Sequence, residues 1–196
     1  DVESVKVATK KLINEAECGG SLPVRAPFFC YENLKFFADK ENMFALAKNV
    51  GKSPSAADYL RAHLDRIGPG GYVALLAYID MNQSCEEVLQ VLRSAIRDAR
   101  HSATCLGFGP RFLHSTGQLY RGGANTGVFL QITSNDPIDL PIPSHCCTFK
   151  SLKDLQAHAD FGVFSERGRR LIRVDLGTDV IAGLKTLKKV LLEALT

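Results

Sequence analysis

Tyr72 to Ile79 (YVALLAYI) is a nearly continuous apolar run, closed off upstream by Gly68-Pro69-Gly70-Gly71. It is far too short to cross a bilayer, and its length suits a strand. A strand without polar alternation is covered on both faces, so the chain must supply helices to either side of a sheet. Three further runs, Ala103 to Phe108, Val128 to Thr133 and Leu171 to Leu176, repeat the signal. Helical patterns separate them. Ala57, Leu60, Leu64 and Ile67 recur at three- and four-residue steps, as do Val88, Leu92, Ala95 and Ala99, then Leu152, Leu155 and Ala159. Ile181, Leu184, Leu187, Leu191 and Leu195 form the last stripe. The alternation predicts an α/β three-layer domain, with a central mostly parallel or mixed sheet of four to five strands flanked by helices.

Val5, Ala8, Leu12 and Ile13 predict an additional N-terminal helix, ended by Gly19-Gly20. Ser21 to Pro27 carries two prolines and no periodicity, so it reads as a linker. The expected organisation is a helix over residues 1–20, a linker over 21–30 and an α/β domain over 31–196. An edge strand is expected near Leu34 to Ala38. Helix starts are expected at Ser53-Pro54, at a capping box of Ser84 and Glu87, near Ser151 and Asp154, and at Gly177-Thr178-Asp179.

Composition narrows the function classes. An apolar share of 45% with 23% charged residues is that of a soluble globular protein. The net charge of +3 is spread among acids, which argues against a nucleic-acid footprint. No run is long enough for a membrane span. The six cysteines lack CxxC spacing, the usage of a reducing, cytoplasmic setting. The chain opens on Asp1 with no signal-peptide pattern and reads as a piece of a longer protein.

Chemical capacity concentrates just after the second strong strand. Gly107, Gly109 and Pro110 break it, and Arg111, His114, Ser115, Thr116 and Gln118 follow within eight positions, with Arg121 beyond. Open α/β sheets place ligands where a strand ends in such a segment. His114 is a candidate general acid or base near neutral pH. Arg111 is a candidate bidentate phosphate contact, with Ser115, Thr116 and Gln118 as hydrogen-bonding partners for sugar hydroxyls or phosphate. Arg121 with Gly122-Gly123 would complete a phosphate pocket, although a glycine pair there also reads as a helix C-cap. The alternative reading of the cluster is structural, with His114 and Gln118 at i and i+4 tying the segment to its neighbours. Arg111 would then pair with an acid such as Asp136 or Asp139.

The same residues carry a family resemblance. Leu106 to Leu119 (LGFGPRFLHSTGQL), followed by Gly122-Gly123, resembles the C-terminal region of bacterial bifunctional transaldolase/phosphoglucose isomerase proteins. GYVALLAY (71–78), VFLQIT (128–133), LPIP (140–143) and RGRRLIRVDL (167–176) extend the likeness over most of the chain. Asp1-Val2-Glu3-Ser4-Val5-Lys6 is similar to the closing helix of the isomerase core, with Asp1 where glycine is usual. The resemblance implies conversion of glucose 6-phosphate to fructose 6-phosphate, a step of carbohydrate metabolism, by acid/base chemistry without metal or cofactor. It implies a ring-opening role for Lys6. The partners it implies are a sugar phosphate, the upstream isomerase and transaldolase domains and a second copy of the chain, while the charge pattern and run lengths above predict no nucleic acid and no membrane. The family's phosphate-binding serine/threonine loop and glutamate base have no counterpart here, so the fragment alone is expected to be inactive. In the alternative, the appended domain is a non-catalytic sugar-phosphate-binding or interdomain module.

The remaining motifs are weaker. His145-Cys146-Cys147 places adjacent donors that cannot easily share one tetrahedral metal site, and no second pair stands at finger spacing. Lys185, Lys188 and Lys189 read as a solvated helix face, and His63, His101 and His158 as exposed polar residues.

Overall fold

The computed structural model describes Val7 and residues 25–143, 145 and 147–196. The expected N-terminal helix, Lys6 within it and Cys146 lie outside the described residues.

Among the described residues six strands form one mixed sheet. They are β1 (Phe29–Tyr31), β2 (Leu34–Phe37), β3 (Tyr72–Tyr78), β4 (Ala103–Phe108), β5 (Gly127–Thr133) and β6 (Arg170–Asp175), in the order β1-β2-β6-β5-β3-β4. The helices are α1 (Lys40–Ala47), α2 (Ala56–Leu64), α3 (Gln83–Arg100), α4 (Thr116–Gly122), α5 (Phe149–Glu166) and α6 (Val180–Leu195), with a 3-10 turn at Arg111–His114 before α4. The four apolar runs form the parallel part, β4-β3-β5-β6. β2 adds to β6 antiparallel, and β1 returns on β2 as a hairpin. The strand expected at the edge, β2, is therefore the second in the sheet, and the edge strand β1 begins within the expected linker over 21–30. Residue Glu32 at the hairpin takes a positive φ of 50° without the glycine that announces such a turn.

The strand period of two sorts the core into two layers. Val73, Leu75 and Ala77 of β3 face one side, with Val128, Leu130, Ile132, Ile172 and Val174, beneath α2, α3 and α6. Ala74, Leu76 and Tyr78 face the other, with Phe129 and Leu171, beneath the 3-10 turn, α4 and α5. The sheet is thus the middle of three layers, as the sequence predicts.

Helix starts differ in detail from the expected ones. α2 begins after Ser55, whose hydroxyl and Asp58 form a full capping box, because only that serine has a carboxylate three residues on. α3 begins after Asn82, which accepts from the Cys85 amide at 3.0 Å, so Ser84 already lies in the first turn. α5 begins after Thr148, paired reciprocally with Ser151. Asp179 caps α6 as expected, accepting from the Ala182 amide. Ile181 of the last stripe is 38% exposed, and Val190 and Ala194 take up the inward face with Leu184, Leu187 and Leu191. Removing the α5 cap with Thr148→Ala is expected to lower unfolding stability by about 1 kcal/mol, read from urea denaturation.

Candidate functional site

The parallel strands set the position of the site. β3 runs on to α3 on one face of the sheet, whereas its neighbour β5 runs on to α5 on the opposite face. The two connections diverge at the carboxyl ends of adjacent strands, which leaves a crevice at that switch point. A cleft of about 400 Å³ occupies it. Asp80 and Met81 after β3, Gly109 to Arg111 after β4, the loop from Asp136 to Leu140 after β5, and Phe149, Lys150 and Lys153 of α5 line it.

Local chemistry explains the shape of this cleft. The Gly109 amide continues the β4 ladder by donating to the Ala77 carbonyl at 2.8 Å. A Cβ at Gly109 would stand 2.6 Å from the Tyr78 ring, so only glycine lets the chain pass there. Arg111 then emerges at the rim, exposed, with its guanidinium 3.0 Å from the Met81 sulfur. Opposite it, Lys153 is ion-paired with Asp136 and Lys150 with Asp154 at 3.2 Å. Asp139 accepts from the backbone amides of Leu140 and Lys150 at 2.9 and 3.0 Å. The Thr148 hydroxyl and these amides hold its carboxyl below the usual range. The cleft therefore carries three cations and three carboxylates around a small volume, with both lysines already ion-paired.

Of the described residues singled out in the sequence, the structure brings Arg111 into the cleft and keeps His114, Ser115, Thr116, Gln118 and Arg121 apart from it. His114, Ser115, Thr116 and Gln118 are exposed, and none lines the cleft. The Gln118 amide donates to the His114 carbonyl at 3.4 Å, and Ser115 Oγ to the Phe112 carbonyl at 3.4 Å. The segment is not one helix, since Ser115 (φ −132°, ψ −108°) separates the 3-10 turn from α4.

Arg121 requires a correction. It is fully buried, with Nη1 2.7 Å from Asp160 Oδ1 and Nη2 donating to the Leu113 carbonyl at 2.9 Å. Tyr78 donates its hydroxyl to Asp160 Oδ2 at 3.0 Å. α4 turns this guanidinium inward against α5, so it braces the segment from behind and cannot meet a ligand. Burial pushes the Asp160 carboxyl up to about 6, against the opposing pull of Arg121 and Tyr78. Gly123 closes α4, its amide donating to the Leu119 carbonyl. Neither Asp136 nor Asp139 pairs with Arg111.

His63 is a second correction. It is buried, not exposed, and its Nε2–H donates to the Phe129 carbonyl at 2.9 Å. Burial lowers its pKa to about 3. His158 is half-buried, held through Nδ1 to the Asp154 carbonyl, whereas His101 caps α3 in the left-handed region. Of the expected solvated face, Lys185 and Lys189 are exposed and Lys188 is half-buried. Among the described residues no cluster of three or more His, Cys, Asp or Glu could hold a metal ion.

Lys150, Lys153 and Asp80 escape sequence reasoning. Lys150 and Lys153 stand three apart on the first turns of α5, which is legible as a helix face, but only the order of the strands puts that face over Arg111.

No family model and no curated protein matches the sequence. Among solved structures the chain is similar to hypothetical protein TT0462 from Thermus thermophilus, with a TM-score of 0.63 and 14% identity. The likeness covers 79% of this chain and 43% of that one, so the chain spans less than half of its length. At that identity it shows the α/β three-layer fold alone. No helix among the described residues is long and apolar enough to cross a membrane.

Proposed function

We propose that this chain is the C-terminal part of a glucose-6-phosphate isomerase joined to transaldolase, and that its α/β domain binds the sugar phosphate in the switch-point cleft. The family resemblance of the Leu106 to Leu119 segment supplies the identity of the reaction. The observation that carries the binding role is the cleft itself, where Arg111, Lys150 and Lys153 stand with Asp80, Asp136 and Asp139. A guanidinium takes a phosphate through two parallel hydrogen bonds, and carboxylates accept from sugar hydroxyls.

The isomerisation chemistry belongs elsewhere in this reading. His114 is outside the cleft, so it serves a neighbouring site or a domain contact, together with Ser115, Thr116 and Gln118. Lys6 acts with the upstream isomerase core in the cytoplasm, and the isolated fragment is inactive. A second reading, an interdomain or oligomerisation module, is favoured by the apolar rim of the same cleft. Ile138, Leu140 and Phe149 are 77%, 61% and 57% exposed there.

Backbone amide spectra recorded during addition of glucose 6-phosphate separate the two. Saturable movement at Arg111, Asp139 and Lys150 is expected, weakened about 10-fold or more in Arg111→Ala, the loss due to one charged hydrogen-bonding group. Silence of those amides at high ligand concentration would remove the binding role and leave the docking role.

A further inference from the structure

A second cleft, of about 390 Å³, lies over β6 and β2 and shares no lining residue with the first. At its base is Arg173. Residues Leu171 and Arg173 alternate onto the α5 side of the sheet, so the pleat sends a guanidinium where the pattern elsewhere sends an apolar group. Arg173 is 4% exposed. Its guanidinium lies 4.3 Å from the Phe37 ring centre and 5.3 Å from that of Phe161. Its Nε has no hydrogen-bond partner, and among the described residues no carboxylate forms an ion pair with it. Rings on two sides exclude water, and the attraction of Asp175 and Asp154, neither in direct contact with it, only partly offsets the cost of burying the charge.

The rest of the cleft adds positive charge. Arg25 and Lys35 line its mouth, both exposed and neither in an ion pair among the described residues. The two carboxylates of the lining are already engaged. Asp154 pairs with Lys150 at 3.2 Å, and Asp175 accepts from Thr133 Oγ1 at 2.9 Å and from the Gly177 amide at 3.0 Å. His158 lines the cleft with its Nδ1–H donating to a backbone carbonyl, so its uncommitted Nε2 can donate to an anion only when the ring is protonated. Burial and the nearby Arg173 hold its pKa below the usual value.

We propose that this cleft is an anion site for a phosphate dianion, free or carried by a small molecule, gripped by Arg173 at the base with Arg25 and Lys35 at the mouth. Among the described residues none of the three cations is in an ion pair, although Arg25 also lies over the Phe161 ring at 4.9 Å. With Asp154 neutralised by Lys150, only Asp175 opposes them, so the cleft stays net positive and a phosphate monoester fits before a single carboxylate. The fork of Arg173 offers its terminal nitrogens bidentately. The site stands independently of the sugar-phosphate reading above, because different residues report on it.

The test follows the amides of Ser134, Asn135 and His158 in the full chain while inorganic phosphate is added at fixed ionic strength. Saturable shifts are expected, with an affinity on the order of 1 mM for a bare ion. The His158 ring should titrate at a higher pH with phosphate bound, since the anion offsets the repulsion from Arg173. Arg173→Lys, which keeps the charge but loses the fork, should weaken binding about 10-fold. Lys35→Ala, at an exposed position where folding is not at stake, should weaken it by roughly 3-fold through the lost charge. Sodium acetate at the same ionic strength should leave these amides unmoved. Absence of saturable shifts, or shifts confined to Arg111, Asp139 and Lys150, would overturn the proposal. So would an affinity unchanged in both variants.

Discussion

Arg121→Met is expected to lose about 3–5 kcal/mol of unfolding stability at neutral pH, because it strands the Asp160 carboxylate in an interior with no counter-ion. Both side chains are fully inaccessible, 2.7 Å apart, and α4, α5 and β3 meet at the pair through Tyr78. Methionine replaces the volume but leaves Asp160 with only the Tyr78 hydroxyl. For a chain of 196 residues such a loss lowers the unfolding temperature by roughly 6–20 °C. The loss should shrink on acidification. Removing the arginine takes away the attraction that opposes desolvation, so the Asp160 carboxyl, already up to about 6, rises further and takes a proton more readily. Asp160→Asn combined with Arg121→Met should recover much of the stability, since no charge is then left behind. A single-variant loss below about 1 kcal/mol, equal at pH 7 and pH 5, would mean that the bridge does not hold α4 in place. The consequence for function is direct. α4 and the 3-10 turn carry the chain away from Arg111, and their packing on Asp160 fixes where that guanidinium enters the cleft.

Arg121 also marks the limit of what the sequence discloses. The parallel strands are legible because each is a contiguous apolar run, and burial on both faces leaves no ambiguity about the layers. The β1–β2 hairpin is not, since three- and four-residue strands around a non-glycine turn carry almost no signal. Arg121, Arg173 and His63 look like surface residues in one dimension. Their burial depends on partners 39 residues away for Arg121 and 66 for His63, and on two aromatic rings for Arg173. Periodicity reports which face a residue shares with its neighbours and is silent about which distant group waits there. Gly109, the first residue after β4, does mark the entrance to the cleft, whereas Gly107 stays within the strand and does not break it. Which residue of the following segment enters is not legible, because Ser115 breaks the helix and swings His114 and Gln118 outward. Lys150 and Lys153 join Arg111 only through the crossover of β5 past β3, a fact of strand order that no local pattern encodes.

Acid sensitivity offers the second large effect, and two buried groups pull it in opposite directions. The His63 pKa falls from about 6.5 in the unfolded chain to about 3 in the folded one, with desolvation as the main cause. Below about pH 6.5 the unfolded chain binds a proton that the folded chain refuses, so the contribution of His63 to stability declines as pH falls. Asp160 does the reverse. Its folded pKa of about 6 exceeds the unfolded value of 3.8, so the folded chain takes the proton first and gains stability as pH falls through 6. Between pH 7 and pH 5 linkage gives a loss of about 2 kcal/mol from His63 and a gain of about 1 kcal/mol from Asp160. His158, whose pKa is also lowered, adds to the loss. His63→Gln keeps an N–H for the Phe129 carbonyl and cannot titrate. It should therefore lose about 2 kcal/mol less than the wild-type chain over that pH interval, whatever its stability at pH 7. Urea denaturation of both proteins at the two pH values measures the difference. Parallel profiles would place the proton uptake elsewhere and would contradict the burial of His63 beneath β5.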